Sequence, residues 1–234
     1  MVTFWSIEKM DSFIVASTGK WNLKYFDQFS KKQKGRWSFA STPAELDKLL
    51  EVVSPRYIFF PHWSWIVSKE IVKRYECVCF HMTDLPYGRG GSPLQNLIVK
   101  GLQDTVLTAL KMESGIDTGP VYYKNPLSLK GSAEEIYKRA SDLSWKMIAD
   151  FVSDNPDSTP QEGEVVNFKR RTPDQSLIPN GLSFNEIYDY IRMLDAPGYP
   201  KAFIKDNGYH LEFRDAALAD NELSAKVTFK KIDK

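Results

Sequence analysis

The sequence is poor in the residues that build metal cages and disulfide frameworks. It has two cysteines and three histidines in 234 residues. Cys77 and Cys79 stand one residue apart, which is poor geometry for a bridge within one strand. Cys-x-Cys without clustered histidines also falls short of a zinc pattern. A reduced, cytoplasmic protein without a metal is expected. The chain also lacks a dominant charge. Lys plus Arg is 31, Asp plus Glu is 30 and the net charge is +1, with only residues 31–36 and 169–171 locally basic. A protein that holds nucleic acid through phosphates carries a clear basic excess, so no nucleic-acid partner is expected. Long apolar runs are missing too. Those around residues 57–61 fall far short of a membrane span, and residues 1–20 are broken by Glu8, Lys9, Asp11 and Lys20, which argues against a secretory leader. Neither Gly-x-Gly-x-x-Gly nor a P-loop occurs. What is present is ordinary globular material, 42% hydrophobic with 13 Gly and 13 Pro, enough for a core and for one to two domains.

Apolar runs alternate with helical patterns. Residues 13–16 read as a buried strand entering a turn at Ser17-Thr18-Gly19, and residues 21–29 as a helix with Leu23, Phe26 and Phe29 on one face. Residues 37–40 follow as a strand. Ser41-Thr42-Pro43-Ala44-Glu45 then supplies a hydroxyl cap, an early proline and an acid near the helix dipole. Strands are expected at 56–61, 78–83 and 105–112, and helices at 68–75, 93–101 and 132–152. A Pro/Gly-rich loop spans 85–92. Strands alternating with helices imply an α/β fold, a Rossmann-like, mostly parallel sheet with helices on both faces.

Prolines accumulate after Asp154, so residues 154–182 read as an extended linker or arm between a catalytic domain at 1–153 and a small α+β appendage at 183–234. The appendage holds a helix at 184–194, a hairpin of 202–206 and 209–214 turning at Asn207-Gly208, and a last strand at 225–229. Its apolar residues point to a homodimer.

Two clusters carry chemistry. Cys77, Cys79 and His81 alternate onto one face of their strand, and His81 falls at its carboxyl end, where open α/β sheets bind ligands. A histidine there exchanges protons near neutral pH; the plain alternative is a histidine donating to a loop carbonyl. In the second cluster Gly115 and Gly119 bracket Asp117, which is presented by a tight backbone and is equally readable as a turn-former.

Together the clusters resemble the N10-formyltetrahydrofolate-dependent formyltransferases. That family's signature of Asn, one residue, His, a Ser-Leu-Leu-Pro-like stretch, Arg-Gly and Pro is similar to Cys79-Phe80-His81-Met82-Thr83-Asp84-Leu85-Pro86 followed by Arg89-Gly90 and Pro93. Its Asp-Thr-Gly is similar to Asp117-Thr118-Gly119. The stretch from Met193 to Phe203 resembles the start of the family's C-terminal region.

The resemblance implies acyl transfer, in which an amine attacks the formyl carbon of N10-formyltetrahydrofolate and an oxyanion forms. His81 would handle the proton and the oxyanion, and Asp117 would orient His81, help hold it protonated or relay the amine proton. The family's Asn falls at Cys79, whose thiol is a weak donor and which reads equally as a small buried hydrophobe. Donor binding is implied at Trp65, Ile66, Val67, Thr83, Asp84, Leu85 and Pro86, with Trp63, Trp65 and Ile66 alternatively core. Acceptor binding is expected at Arg89, Gly90, Gln95, Trp21 and Asn22. Lys169, Arg170 and Arg171 could read a phosphate or form a solvated face. From Lys201 to Lys234 there are 7 basic and 6 acidic residues, which argues against tRNA as the acceptor. The resemblance then implies the nucleotide-sugar branch, and the spacing from Phe80 to Gly91 is similar to members that formylate a UDP- or dTDP-linked 4-amino-4,6-dideoxy sugar for surface glycans. The alternatives are a methionyl-tRNA formyltransferase-like enzyme, a catalytically impaired folate or nucleotide-sugar binding module, and a hydrolase that deformylates the folate without an acceptor.

Overall fold

A computed structural model describes residues 10–18 and 20–232, and the side chains of residues 20 and 21 are outside the description. In chain order the elements are β1 (Ser12–Ala16), α1 (Lys20–Ser30), β2 (Arg36–Ala40), α2 (Pro43–Val52), β3 (Tyr57–Phe60), α3 (Lys69–Arg74), β4 (Glu76–His81), β5 (Tyr87–Gly90), α4 (Pro93–Val99), β6 (Asp104–Lys111), β7 (Val121–Ser128), α5 (Ala133–Asp154), β8 (Val166–Phe168), α6 (Phe184–Arg192), β9 (Ala202–Asp206), β10 (Tyr209–Ala219) and β11 (Glu222–Lys231). Among the described residues six strands form the main sheet in the order β2-β1-β3-β4-β6-β7. The pairs β1–β2, β1–β3 and β3–β4 are parallel. This is the expected mostly parallel α/β sheet, joined by an antiparallel C-terminal sheet ordered β11-β10-β9.

The chain divides into two compact units. One holds the described residues up to Phe80 with Ala109–Tyr123 and Leu143–Pro160. The other holds His81–Thr108, Lys124–Asp142 and the chain from Gln161 onward. In the first, Ile14, Ala16, Ala40, Leu46, Ile58, Phe60 and Cys77 form one buried cluster. Phe59 and Tyr57 meet Phe151 edge-on at 5.4 and 4.9 Å. Each fully buried side chain of this size contributes roughly 1.5–3 kcal/mol, so the apolar runs drive these strands inward. Thr42 caps α2, accepting from the Glu45 amide, as its sequence foretold. Phe26 and Phe29 of α1 meet Phe39 and Trp37, whereas Leu23 is 48% exposed.

In the second unit the stretch read as a loop at 85–92 contains β5, which pairs in parallel with β8 of the 154–182 arm, Tyr87 opposite Val166 and Gly90 opposite Phe168. Strand β7 also had no counterpart in the sequence reading. Ser132 and Glu135 exchange hydrogen bonds at the start of α5, and Ser183 and Glu186 do the same at α6. The hairpin turns where expected, at Asn207 (φ 45°) and Gly208 (φ 80°). Both residues are left-handed, as a two-residue turn of matching twist requires.

Candidate active site

In the second unit, His81 ends β4 and is 7% exposed. Its Nε2 lies 2.8 Å from the Gly88 carbonyl. A carbonyl only accepts, so Nε2 carries the proton and the ring plane is held. The carbonyl reaches the ring because Gly88 adopts φ 78°, and a Cβ there would lie 2.7 Å from Thr83 Cγ2. The Thr83 carbonyl in turn accepts from Thr108 Oγ1 at 2.6 Å.

The segment after His81 is fastened at several points. Thr83 and Leu85 are fully buried, and Asp84 is exposed. Lys124 of β7 donates to both Asp84 Oδ1 and the Leu85 carbonyl at 2.6 Å. The peptide between Leu85 and Pro86 is cis, and the Pro86 carbonyl accepts from the Val166 amide. Gly90 packs so closely on β8 that a Cβ would stand 2.4 Å from the Phe168 oxygen. Arg89 Nε and Nη2 both donate to Gln161 Oε1, at 3.1 and 2.8 Å. Gln95 is buried, donating to Tyr137 and to the Met193 carbonyl.

In the first unit, Asp117 sits in a tight turn with φ 53°, a conformation that Asp tolerates better than most residues. The turn folds against the end of β6. The Lys111 amide donates to the Pro120 carbonyl at 2.9 Å, and a Cβ on Gly119 would fall 1.8 Å from the Lys111 oxygen. Cys79 is half-buried. Its thiol is pushed up by desolvation first and by the Asp117 carboxylate second, so the structure brings these two predicted residues together. Burial also raises Cys77, up to about 12, and both thiols are therefore poor nucleophiles at neutral pH.

Trp65, Ile66 and Val67 lie in the loop beyond β3 rather than at its end. Trp65 is 44% and Ile66 84% exposed, which removes the core reading for both. Trp63 meets Trp65 edge-on at 4.9 Å. Asn22 is buried, donating to the Thr18 carbonyl and accepting from Trp145; the Trp21 side chain lies outside the described residues. Lys124, Gly88 and Thr108 were not singled out from sequence. Lys124 sits in the unforeseen β7, and the Gly88 and Thr108 contacts depend on tertiary placement.

The chain matches the formyl transferase family over residues 18–152 and the C-terminal domain of methionyl-tRNA formyltransferase over residues 173–230. It belongs to the formyl transferase family. The methionyl-tRNA formyltransferase of Francisella philomiragia is 25% identical over 197 residues, 82% of this chain and 62% of that protein, so the chain spans about three fifths of that relative. A structure of methionyl-tRNA formyltransferase from Clostridium thermocellum is 45% identical with a TM-score of 0.92, covering 95% of this chain and all of that one. A 4-N formyltransferase from Francisella tularensis is 16% identical at a TM-score of 0.67, covering 85% of this chain and 93% of that one, a likeness of fold alone. The sugar branch favoured by tail charge is thus the more distant likeness, and relatives named for methionyl-tRNA stand nearer.

Proposed function

We propose that the chain transfers a formyl group from N10-formyltetrahydrofolate to a primary amine. The observation that carries this reading is the buried His81 ring, fixed by the Gly88 carbonyl at the end of β4, in a family member that also retains the Asp-Thr-Gly turn. The amine lone pair attacks the formyl carbon and the C=O electrons move to oxygen. The tetrahedral intermediate then collapses, breaking the bond to N10, which leaves with a proton as tetrahydrofolate. His81 handles the amine proton and donates to the oxyanion, and Asp117 takes the acid's role that the family resemblance implies. Cys79, at the family's usual Asn position, supplies a weaker donor. By resemblance, contacts to the donor folate fall on Thr83–Pro86 within the second unit and on Trp65, Ile66 and Val67 within the first.

For the acceptor, the 45% identical methionyl-tRNA formyltransferase structure, which this chain covers from end to end, supports an aminoacyl-tRNA amine. A second reading, a nucleotide-linked amino sugar, draws support from the balanced tail, 7 basic against 6 acidic residues from Lys201 to Lys234. In the sugar reading Arg89, Gly90, Gln95 and Asn22 border or support the acceptor. One assay separates the readings: tetrahydrofolate release with formyl-donor folate plus initiator methionyl-tRNA, or plus UDP- or dTDP-linked 4-amino-4,6-dideoxy sugars. Release with tRNA and formylation of its methionine establishes the first reading, release with a sugar and a mass gain of one formyl group the second. Release without any amine identifies a hydrolase, and folate binding without release a binding module; either would overturn the proposal.

A further inference from the structure

The C-terminal sheet has an unusual edge. Among the described residues, no strand pairs with the outer side of β11. From Glu222 to Lys230 the strand alternates without a break, Glu-Leu-Ser-Ala-Lys-Val-Thr-Phe-Lys. Its apolar side continues the ladder of β10, with Phe229 opposite Leu211, Val227 opposite Phe213 and Leu223 opposite Leu218. That side does not become buried as it reaches the edge. Phe229 is 65% and Val227 40% exposed, and Tyr209, which meets Phe229 edge-on, is 42% exposed. A long, alternating, apolar edge strand is a template for pairing unless charges guard it. Here two lysines of the polar side are already met within the protomer, Lys226 by Asp215 at 2.9 Å and Lys230 by Glu212 at 2.7 Å.

The strand is also complementary to itself. In an antiparallel pair the residues offering N–H and C=O outward must face one another. A two-fold pairing of identical strands therefore centres on a residue rather than between two. Centring on Lys226 sets Glu222 against Lys230, Leu223 against Phe229, Ser224 against Thr228 and Ala225 against Val227, which joins opposite charges and apolar pairs together. Centring on Ala225 leaves Phe229 and Lys230 unpaired, and centring on Val227 sets Leu223 against Lys231. The Lys226 register costs only a lysine facing its own copy, and each of those lysines already has Asp215. We propose that β11 is the homodimer edge of this protein, pairing antiparallel with β11 of a second copy about a two-fold at Lys226, so that two three-stranded sheets become one. This is independent of the acceptor and of the catalytic roles.

The test uses the whole chain, with mass measured by sedimentation up to about 100 µM and with single cysteines introduced on β11. Opposed residues lie within disulfide reach of one another, so Lys226→Cys cross-links to its own copy under mild oxidation. Ser224→Cys and its copy would stand about 13 Å apart and do not cross-link; a mixture of Ser224→Cys and Thr228→Cys does. Phe229→Glu weakens the dimer by at least about 100-fold, and Glu222→Lys, an exposed change that leaves folding intact, by about tenfold. A monomer at every concentration would overturn the proposal. So would a dimer in which Lys226→Cys links no faster than Ser224→Cys, or one indifferent to both Phe229→Glu and Glu222→Lys.

Discussion

Two turns in this molecule depend on glycine for opposite reasons. At Gly119 the space is the constraint: a Cβ would fall 1.8 Å from the Lys111 oxygen, and the turn that presents Asp117 is folded onto that carbonyl. At Gly208 the space is open, with nothing within 4 Å of an added Cβ, and only φ 80° asks for glycine. The first turn is fixed by its surroundings, the second by its own backbone. A side chain that must meet a reacting atom is served by the first kind, because packing holds its position, while a hairpin needs only the correct twist.

His81→Ala breaks the comparison most sharply, since it removes the chemistry and leaves both turns in place. Single-turnover formyl transfer should fall by about 10²–10⁴-fold, with folate binding almost unchanged and a stability loss of only about 1–3 kcal/mol from taking the ring off the Gly88 carbonyl. An equal loss of folding would mean that His81 is only a donor to the Gly88 carbonyl. Gly119→Ala comes next. It should cost about 3 kcal/mol by urea denaturation and should lower turnover as well, because Asp117 moves with the turn. Gly208→Ala should cost only about 1 kcal/mol and leave turnover within about twofold of the parent. If the two glycine variants proved equally harmful, the distinction between crowding and backbone freedom would collapse.

The smallest effect lies at the head of α5. The Ser132 amide and hydroxyl hold the Glu135 carboxyl below its ordinary range. A depressed folded pKa gives stability that is complete above the unfolded value and disappears as pH falls through the folded one. The difference between parent and Glu135→Ala should therefore be present at pH 7, a few tenths of a kcal/mol at this exposed site, and vanish as pH falls through the lowered folded value. Persistence of the difference at low pH would count against the carboxylate as its source.

Helix starts were legible because capping is local. Thr42 with Glu45 and Ser132 with Glu135 declare themselves within four residues. The Asn207-Gly208 turn was legible for the same reason. Strand β5 was not, since Tyr-Gly-Arg-Gly has little strand propensity and exists as a strand through β8. Strand β7 carries Lys124, Asn125 and Pro126 in its middle and shows no clean alternation. His81 and Asp117 stood out through motif resemblance, and Cys79 was recognised as standing where an Asn is usual. The Lys124 clasp and the Gly88 carbonyl became visible only when distant segments met, because nothing in a one-dimensional pattern says which carbonyl a ring will find.

The pairing of β5 with β8 also sets an order of events. Gly90 and Phe168 face each other across 78 residues of chain, so the segment that holds the His81 ring cannot be completed by its neighbours in sequence. While the chain is being made, β1 and β2 can already associate, but the backbone around Gly88 has no second strand until Phe168 has left the ribosome. Contacts closed over so long a loop form late. The strand that backs the histidine's loop therefore joins only after every strand of the main sheet has been made, and a nascent chain stalled before residue 166 has its sheet without that backing.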